Sequence, residues 1–199
     1  FSIGAFYKYI KNPISRIEVA SAGGFLSYEN IADHATVAGA EIEFRKDLFS
    51  RKTAEEIHKL TFGVNGAYTY THAKVSLATV STGSQLEGAA PWIVNSDLSY
   101  QLQKGKYNLT STLVFNYFSD RIYTIGTEGF QDIMEKGIPT LDFVLSAKMG
   151  NRFSFSMKAA NLLNASHQLT RKGNADNREV VLSKYKKGVD LSLGISYEF

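Results

Sequence analysis

The chain has no cysteine, which removes any disulfide framework and any thiolate metal site. No apolar run approaches the ~18 residues of a membrane-spanning helix, but that exclusion does not reach a membrane β-barrel, whose strands dilute apolar residues with polar ones. A net charge of +3 is too small and too dispersed to mark a nucleic-acid-binding face. The four histidines, His34, His58, His72 and His167, lie at no spacing that would hold a metal. No nucleophile elbow occurs, and Gly126-Thr127-Glu128-Gly129 lacks the lysine and helix context of a phosphate loop. Asn108-Leu109-Thr110 and Asn164-Ala165-Ser166 match glycosylation sequons, but the first falls inside a strand pattern and both read as chance matches. The expectation is a non-enzyme without a cofactor. No secretory leader precedes the strand pattern at Phe1, so either a leader was removed or the chain is part of something longer.

What is present is alternation. Charged residues at 21% and hydrophobic ones at 44% exclude wholesale disorder. From Val189 to Phe199 the chain reads apolar, polar, apolar without a break, with Val189, Leu191, Leu193, Ile195, Tyr197 and Phe199 on one face. The same period marks seven earlier segments: Phe1 to Tyr9, Ala38 to Arg45, Leu60 to Thr71, Trp92 to Leu102, Tyr107 to Tyr117, Leu141 to Met149 and Phe153 to Ala159. Lys11-Asn12-Pro13 ends the first, before a loop through Ala22, Gly23 and Gly24. Between Lys46 and about His58 a charged connection is expected, with one helical turn where Thr53-Ala54-Glu55-Glu56 matches a capping box. The connections alternate in length. Those after the first, third, fifth and seventh segments are long, and the intervening ones are shorter, with tight turns near Gly105 and Gly150. Long loops on one side and short turns on the other describe an outer-membrane barrel, with the last strand running towards the periplasm.

Alternation alone does not say which face is outside, and a soluble lipocalin-like barrel carries the same pattern turned inward. Three features favour apolar-out. Aromatic residues gather near strand ends as interfacial girdles do: Tyr7, Tyr9, Tyr68, Tyr70, Trp92 and Tyr117 at the long-loop end, Tyr100, Tyr107, Phe153, Tyr197 and Phe199 at the other. Charges stand mid-strand on the polar faces, where a dry core would reject them. The chain also stops on an aromatic. The fold expected is therefore all-β, an antiparallel transmembrane β-barrel with about eight strands in this chain. Glu41, Glu43, Asp97, Asp142, Lys148 and Lys158 are the lumen-lining candidates. In the last outer loop, Lys184, Lys186 and Lys187 would pair with lipopolysaccharide phosphates, the alternative being a solvated rim.

Several segments taken in order resemble TonB-dependent outer-membrane receptors of the Bacteroidetes type. These are Leu86-Glu87-Gly88-Ala89-Ala90-Pro91-Trp92-Ile93-Val94-Asn95, Phe115-Asn116-Tyr117-Phe118-Ser119-Asp120-Arg121-Ile122, Leu141-Asp142 with Asn161-Leu162-Leu163-Asn164, and Lys184 to Gly188 followed by Leu193 to Phe199. The resemblance implies a 22-stranded barrel around an N-terminal plug domain, of which residues 1–199 would form the last eight strands without the plug. It implies uptake across the outer membrane, with TonB pulling on the plug, and the outer-loop aromatics Phe25, Tyr28, Tyr123 and Phe130 as ligand-contact candidates, the alternative being that they pack the loops on one another. Ile195, Tyr197 and Phe199 resemble the signal read by the barrel-assembly machinery. A surface lipoprotein is a further partner of some relatives. Two other readings stay open: a self-contained eight-stranded outer-membrane anchor or adhesin, and the lipocalin-like binder.

Overall fold

A computed structural model describes residues 1–19, 25–75, 85–127, 129–173 and 178–199. The Ala22-Gly23-Gly24 turn and Glu128 lie outside these residues. In chain order the strands are β1 (Ser2–Lys11), β2 (Ile14–Glu18), β3 (Leu26–Asn30), β4 (Ala32–Lys52), β5 (Glu56–Val75), β6 (Trp92–Lys104) and β7 (Tyr107–Phe118). There follow β8 (Arg121–Thr124), β9 (Ile133–Glu135), β10 (Ile138–Met149), β11 (Phe153–Ala160), β12 (Ser166–Lys172), β13 (Glu179–Lys186) and β14 (Asp190–Tyr197). Eight of them form one antiparallel sheet, ordered β1-β4-β5-β6-β7-β10-β11-β14, and these are the eight segments whose alternation the sequence displays. No helix occurs among the described residues.

The register joins like residues across this wall. One row runs Phe62, Leu98, Leu113, Phe143, Ala159, Leu191, and the next Leu60, Tyr100, Ser111, Leu145, Met157, Leu193. Among the described residues nothing covers this apolar face: Leu193 and Ile195 are 72% and 76% exposed. Aromatics border it at both ends, with Tyr68 and Trp92 at 4.6 Å between ring centroids near one rim and Phe153 and Tyr197 at 4.7 Å near the other. On β7 the span from Tyr107 to Tyr117 is roughly 33 Å along the strand and about 23 Å at a 45° tilt, which matches the apolar band of an outer-membrane barrel. The opposite face is polar and more crowded. A Cβ on Gly63 or Gly194, both on that face, would meet side-chain atoms at 2.5 and 2.6 Å, whereas one on Gly66 of the apolar face would meet nothing nearer than 3.8 Å. Side chains converge in this way on the inner side of a curved wall and splay on its outer side.

The charged connection expected from Lys46 to His58 is instead strand. β4 and β5 run through it to a three-residue hairpin turn at Thr53, Ala54 and Glu55. The hydroxyl of Thr53 does accept from the Glu56 N–H, as a capping box requires, but Thr53 N–H donates to the Glu56 carbonyl and closes a hairpin rather than a helical turn. Alternation is missing because neither face of this extension is covered. Charges occupy both, with Lys59 to Asp47 at 3.1 Å and Lys104 to Glu56 at 3.5 Å.

The long connections also differ from the loops expected, because three of them fold as second storeys of the wall hairpins. β1 pauses at Asn12-Pro13, where Asn12 takes a left-handed φ of 47°, and resumes as β2. β3 then pairs with β2 and leads back into β4, while Ile31 N–H donates to the Pro13 carbonyl between the storeys. β8 and β9 likewise continue β7 and β10, and β12 and β13 continue β11 and β14. The upper strands make a second sheet, β13-β12-β9-β8, and β2 joins β8 through a short parallel bridge, Ile17 with Ile125. The buried core of the described chain sits here, in Ile17, Ile31, Ala32, Ala35, Ala73, Ile122 and Ile125, with Leu86 and Met134 against it.

Candidate functional site

Two surfaces gather the polar and charged side chains, the polar face of the wall and the cap. On the polar face one row runs Glu43, Asn65, Asn95, Asn116, Thr140 across five strands. Asn95 Nδ2 donates to Asn65 Oδ1 at 2.8 Å, and Asn116 Nδ2 to Thr140 Oγ1 at 3.3 Å. In the next row Arg45 and Asp97 are both register partners of Gly63 and meet over it. Arg45 grips the carboxylate with two hydrogen bonds of 2.7 and 3.1 Å. Only the missing side chain at Gly63 lets a forked pair bridge two strands that are not neighbours.

All six lumen candidates, Glu41, Glu43, Asp97, Asp142, Lys148 and Lys158, share this polar face. Asp142 has a local task as well. Its carboxylate accepts from the Asn161 N–H at 2.8 Å, while Asn161 Nδ2 donates to the Gly188 carbonyl and Asn164 Oδ1 accepts from the Gly188 N–H. Leu141-Asp142, Asn161 to Asn164 and Gly188, which are far apart in sequence, thus build the joint between the two storeys of the last hairpin.

In the cap, three arginines repeat one arrangement: a carboxylate at the fork and an aromatic ring under the plane. Arg16 Nη2 lies 2.9 Å from Glu87 Oε1, with its Cζ 3.9 Å from the Tyr123 ring centre. Arg121 pairs with Glu135 at 2.7 Å over Phe118, and Arg171 pairs with Glu18 and lies over Phe130. The first and third tie together segments that follow different wall strands. Lys136 bridges Asp120 at 2.7 Å and Glu179 at 2.9 Å. Burial resists the charge on Asp120, but Lys136 and the Gly137 N–H outweigh it and hold that carboxyl below its usual pKa; hydrogen bonds to Asp120 and then Glu179 raise Lys136. His167 stacks on Tyr185 at 5.0 Å, and burial followed by the charge of Lys187 pushes its imidazole down.

The four outer-loop aromatics therefore separate. Tyr123 and Phe130 lie beneath arginine planes, although Phe130 is still 43% exposed, while Tyr28 on β3 and Phe25 beside it are 67% and 68% exposed. Lys184 and Lys186 are exposed on β13, an edge strand of the cap sheet, and Lys187 follows it. Ile195, Tyr197 and Phe199 share the outer apolar face; Tyr197 packs between Phe153 and Phe199, and β14 itself ends at Tyr197. Sequence reading missed Arg45, Arg16, Glu87 and the asparagine row. The alternating polar residues marked the face, but only the strand register shows which of them meet.

A wall with one bare apolar face, aromatic borders and a hydrogen-bonded polar face defines an outer-membrane β-barrel. Residues 1–162 match the model of the family described as TonB dependent receptor-like, beta-barrel. The chain belongs to that family, an outer-membrane receptor family rather than an enzyme family, and the apolar-inward lipocalin-like reading falls. The match covers β1 to β11 and ends before β12. Comparisons with curated proteins and with solved structures each return no match.

Proposed function

We propose that residues 1–199 form the closing third of a 22-stranded, Bacteroidetes-type TonB-dependent transporter that takes up a ligand across the outer membrane. The polar face with its asparagine row and Arg45–Asp97 fork carries this reading, because it gives the wall a hydrated inner surface suited to a plug domain. In this reading Glu41, Glu43, Asp97, Asp142, Lys148 and Lys158 line the lumen, and TonB acts through the plug. Phe25, Tyr28 and Phe130 are the exposed ligand contacts, and Tyr123 supports them from beneath Arg16. Lys184, Lys186 and Lys187 contact lipopolysaccharide phosphates. The test is whole-cell accumulation of labelled ferric siderophore, cobalamin, oligosaccharide and peptide. It compares cells with and without the receptor, before and after an uncoupler collapses the proton gradient. One probe should need both receptor and gradient; if none does, transport is refuted. In the same cells, deleting Phe199 should lower outer-membrane levels through the assembly machinery, and unchanged levels would remove that role.

A further inference from the structure

We infer that the edge of β13, which no described strand pairs, is the upper half of one long seam. The strand that closes the barrel on β14 runs on past the membrane and pairs with β13. This rests on the reading of the chain as the closing part of a longer barrel.

The geometry begins with the last hairpin. β11 and β12 run outward, β13 and β14 return, and their pairing passes from Ser166 with Lys186 to Ala160 with Asp190. Only Lys187, Gly188 and Val189 separate β13 from β14, and Gly188 is fixed on both its carbonyl and its N–H by Asn161 and Asn164. The edge of β13 therefore continues the edge of β14. β14 is the last strand of the wall sheet, and its register partners all lie on β11. In lipid its outward-pointing backbone groups require another strand, because hydrocarbon supplies no hydrogen bonds. That strand is antiparallel, so it rises along β14 and emerges beside Asp190, at the foot of β13.

Three hairpins of this chain show that wall strands keep going at that height. Pairing from Glu179 to Tyr197 needs a strand of roughly 20 residues, a length that β4 and β5 reach at 21 and 20, in their case by running on at the other end of the wall. β13 also needs cover. Val180, Val181 and Leu182 are 53%, 51% and 47% exposed above the membrane on an edge strand, where an uncovered apolar edge invites wrong pairing. Its lysines stand only at the membrane end.

Photo-crosslinking side chains placed separately at Ser183 on β13 and Ser192 on β14 of the full receptor, irradiated in outer membranes, test this by peptide mapping. Both should capture one strand that precedes Phe1, with the Ser183 product roughly nine residues further along it. If Ser192 captures that strand while Ser183 captures a second copy, another protein, lipopolysaccharide or nothing, the upper seam does not exist and the closing-part reading stands. If Ser192 captures β1 or nothing, that reading falls and the inference with it.

Discussion

Replacing Arg16 by alanine should loosen the cap without loosening the wall. The side chain is about four-fifths buried, at 20% exposure, and holds three groups from two other connections: the Glu87 carboxylate, the Tyr123 carbonyl at 3.2 Å and the Tyr123 ring. A hydrogen bond to a charged group contributes about 1.5 kcal/mol and the stacked cation about 0.5–1. The backbone N–H of Arg16, which donates to Glu87 Oε2 at 2.5 Å, survives the substitution and keeps part of the contact. The net loss is about 2–3 kcal/mol of local stability. Glu18 N–H donates to the Ile125 carbonyl and Ile125 N–H to the Arg16 carbonyl, so these two amides report the joint between β2 and β8. Their hydrogen exchange in detergent-held receptor should quicken about 30- to 150-fold, while amides of β6 and β7 stay at wild-type rates. Arg121→Ala is the control, because its carboxylate and its ring both lie within one two-storey hairpin. If the Glu18 and Ile125 amides slow, hold within threefold, or quicken equally in Arg121→Ala, the brace does not tie the connections together.

Ile31→Ala empties a fully buried position of the cap core and should cost about 2–4 kcal/mol of cap stability by hydrogen exchange. Gly63→Ala should force Arg45 and Asp97 apart, because the added Cβ would stand 2.5 Å from Asp97 Oδ1. In heat unfolding, Asp97→Asn should then cost much less in the Gly63→Ala background than alone, and strict additivity would deny the contact. The Asp120 carboxyl is held below its ordinary pKa, so its charged form stabilises the cap at neutral pH. That contribution fades as pH falls from about 3.9 through the depressed value, and proteolysis between β8 and β9 should rise there in wild type but less in Asp120→Asn. Lys187→Glu should raise the His167 pKa, read by NMR titration, since a lowering charge becomes a raising one.

The wall was legible because lipid on one side and water on the other impose period two on every strand, and the eight alternating segments are the eight wall strands. The second storey was not. β13 reads Glu-Val-Val-Leu-Ser-Lys-Tyr-Lys and is exposed along its whole length, and β2, β3, β8 and β9 span only three to five residues each, too short for a period to register. Lys11-Asn12-Pro13 did mark a break, but a break within a long hairpin looks the same in sequence as the end of a strand. The capping box misled for a related reason. Thr53 makes the hydrogen bond its pattern promises, and that bond serves a hairpin as readily as a helix. Charged faces were readable, whereas partners were not: Arg45 meets Asp97 across a glycine that no spacing rule singles out.

The two storeys are held by different forces, and this follows from their solvents. Lipid is as apolar as Leu193 or Ile195, so the outer face of the wall gains little by packing on itself. Its strands are joined by backbone ladders and by polar pairs on the inner face. Above the membrane the same chain meets water, and the hydrophobic effect returns. There the described chain places its buried isoleucines, Ile17, Ile31, Ile122 and Ile125 among them, and there Arg16 and Arg171 clamp connections to one another. A substitution in the cap core should therefore unfold the mouth and leave a barrel that still spans the membrane. A receptor built in this way can alter its cap with little cost to insertion, since the residues that fix the cap are not those that satisfy the bilayer.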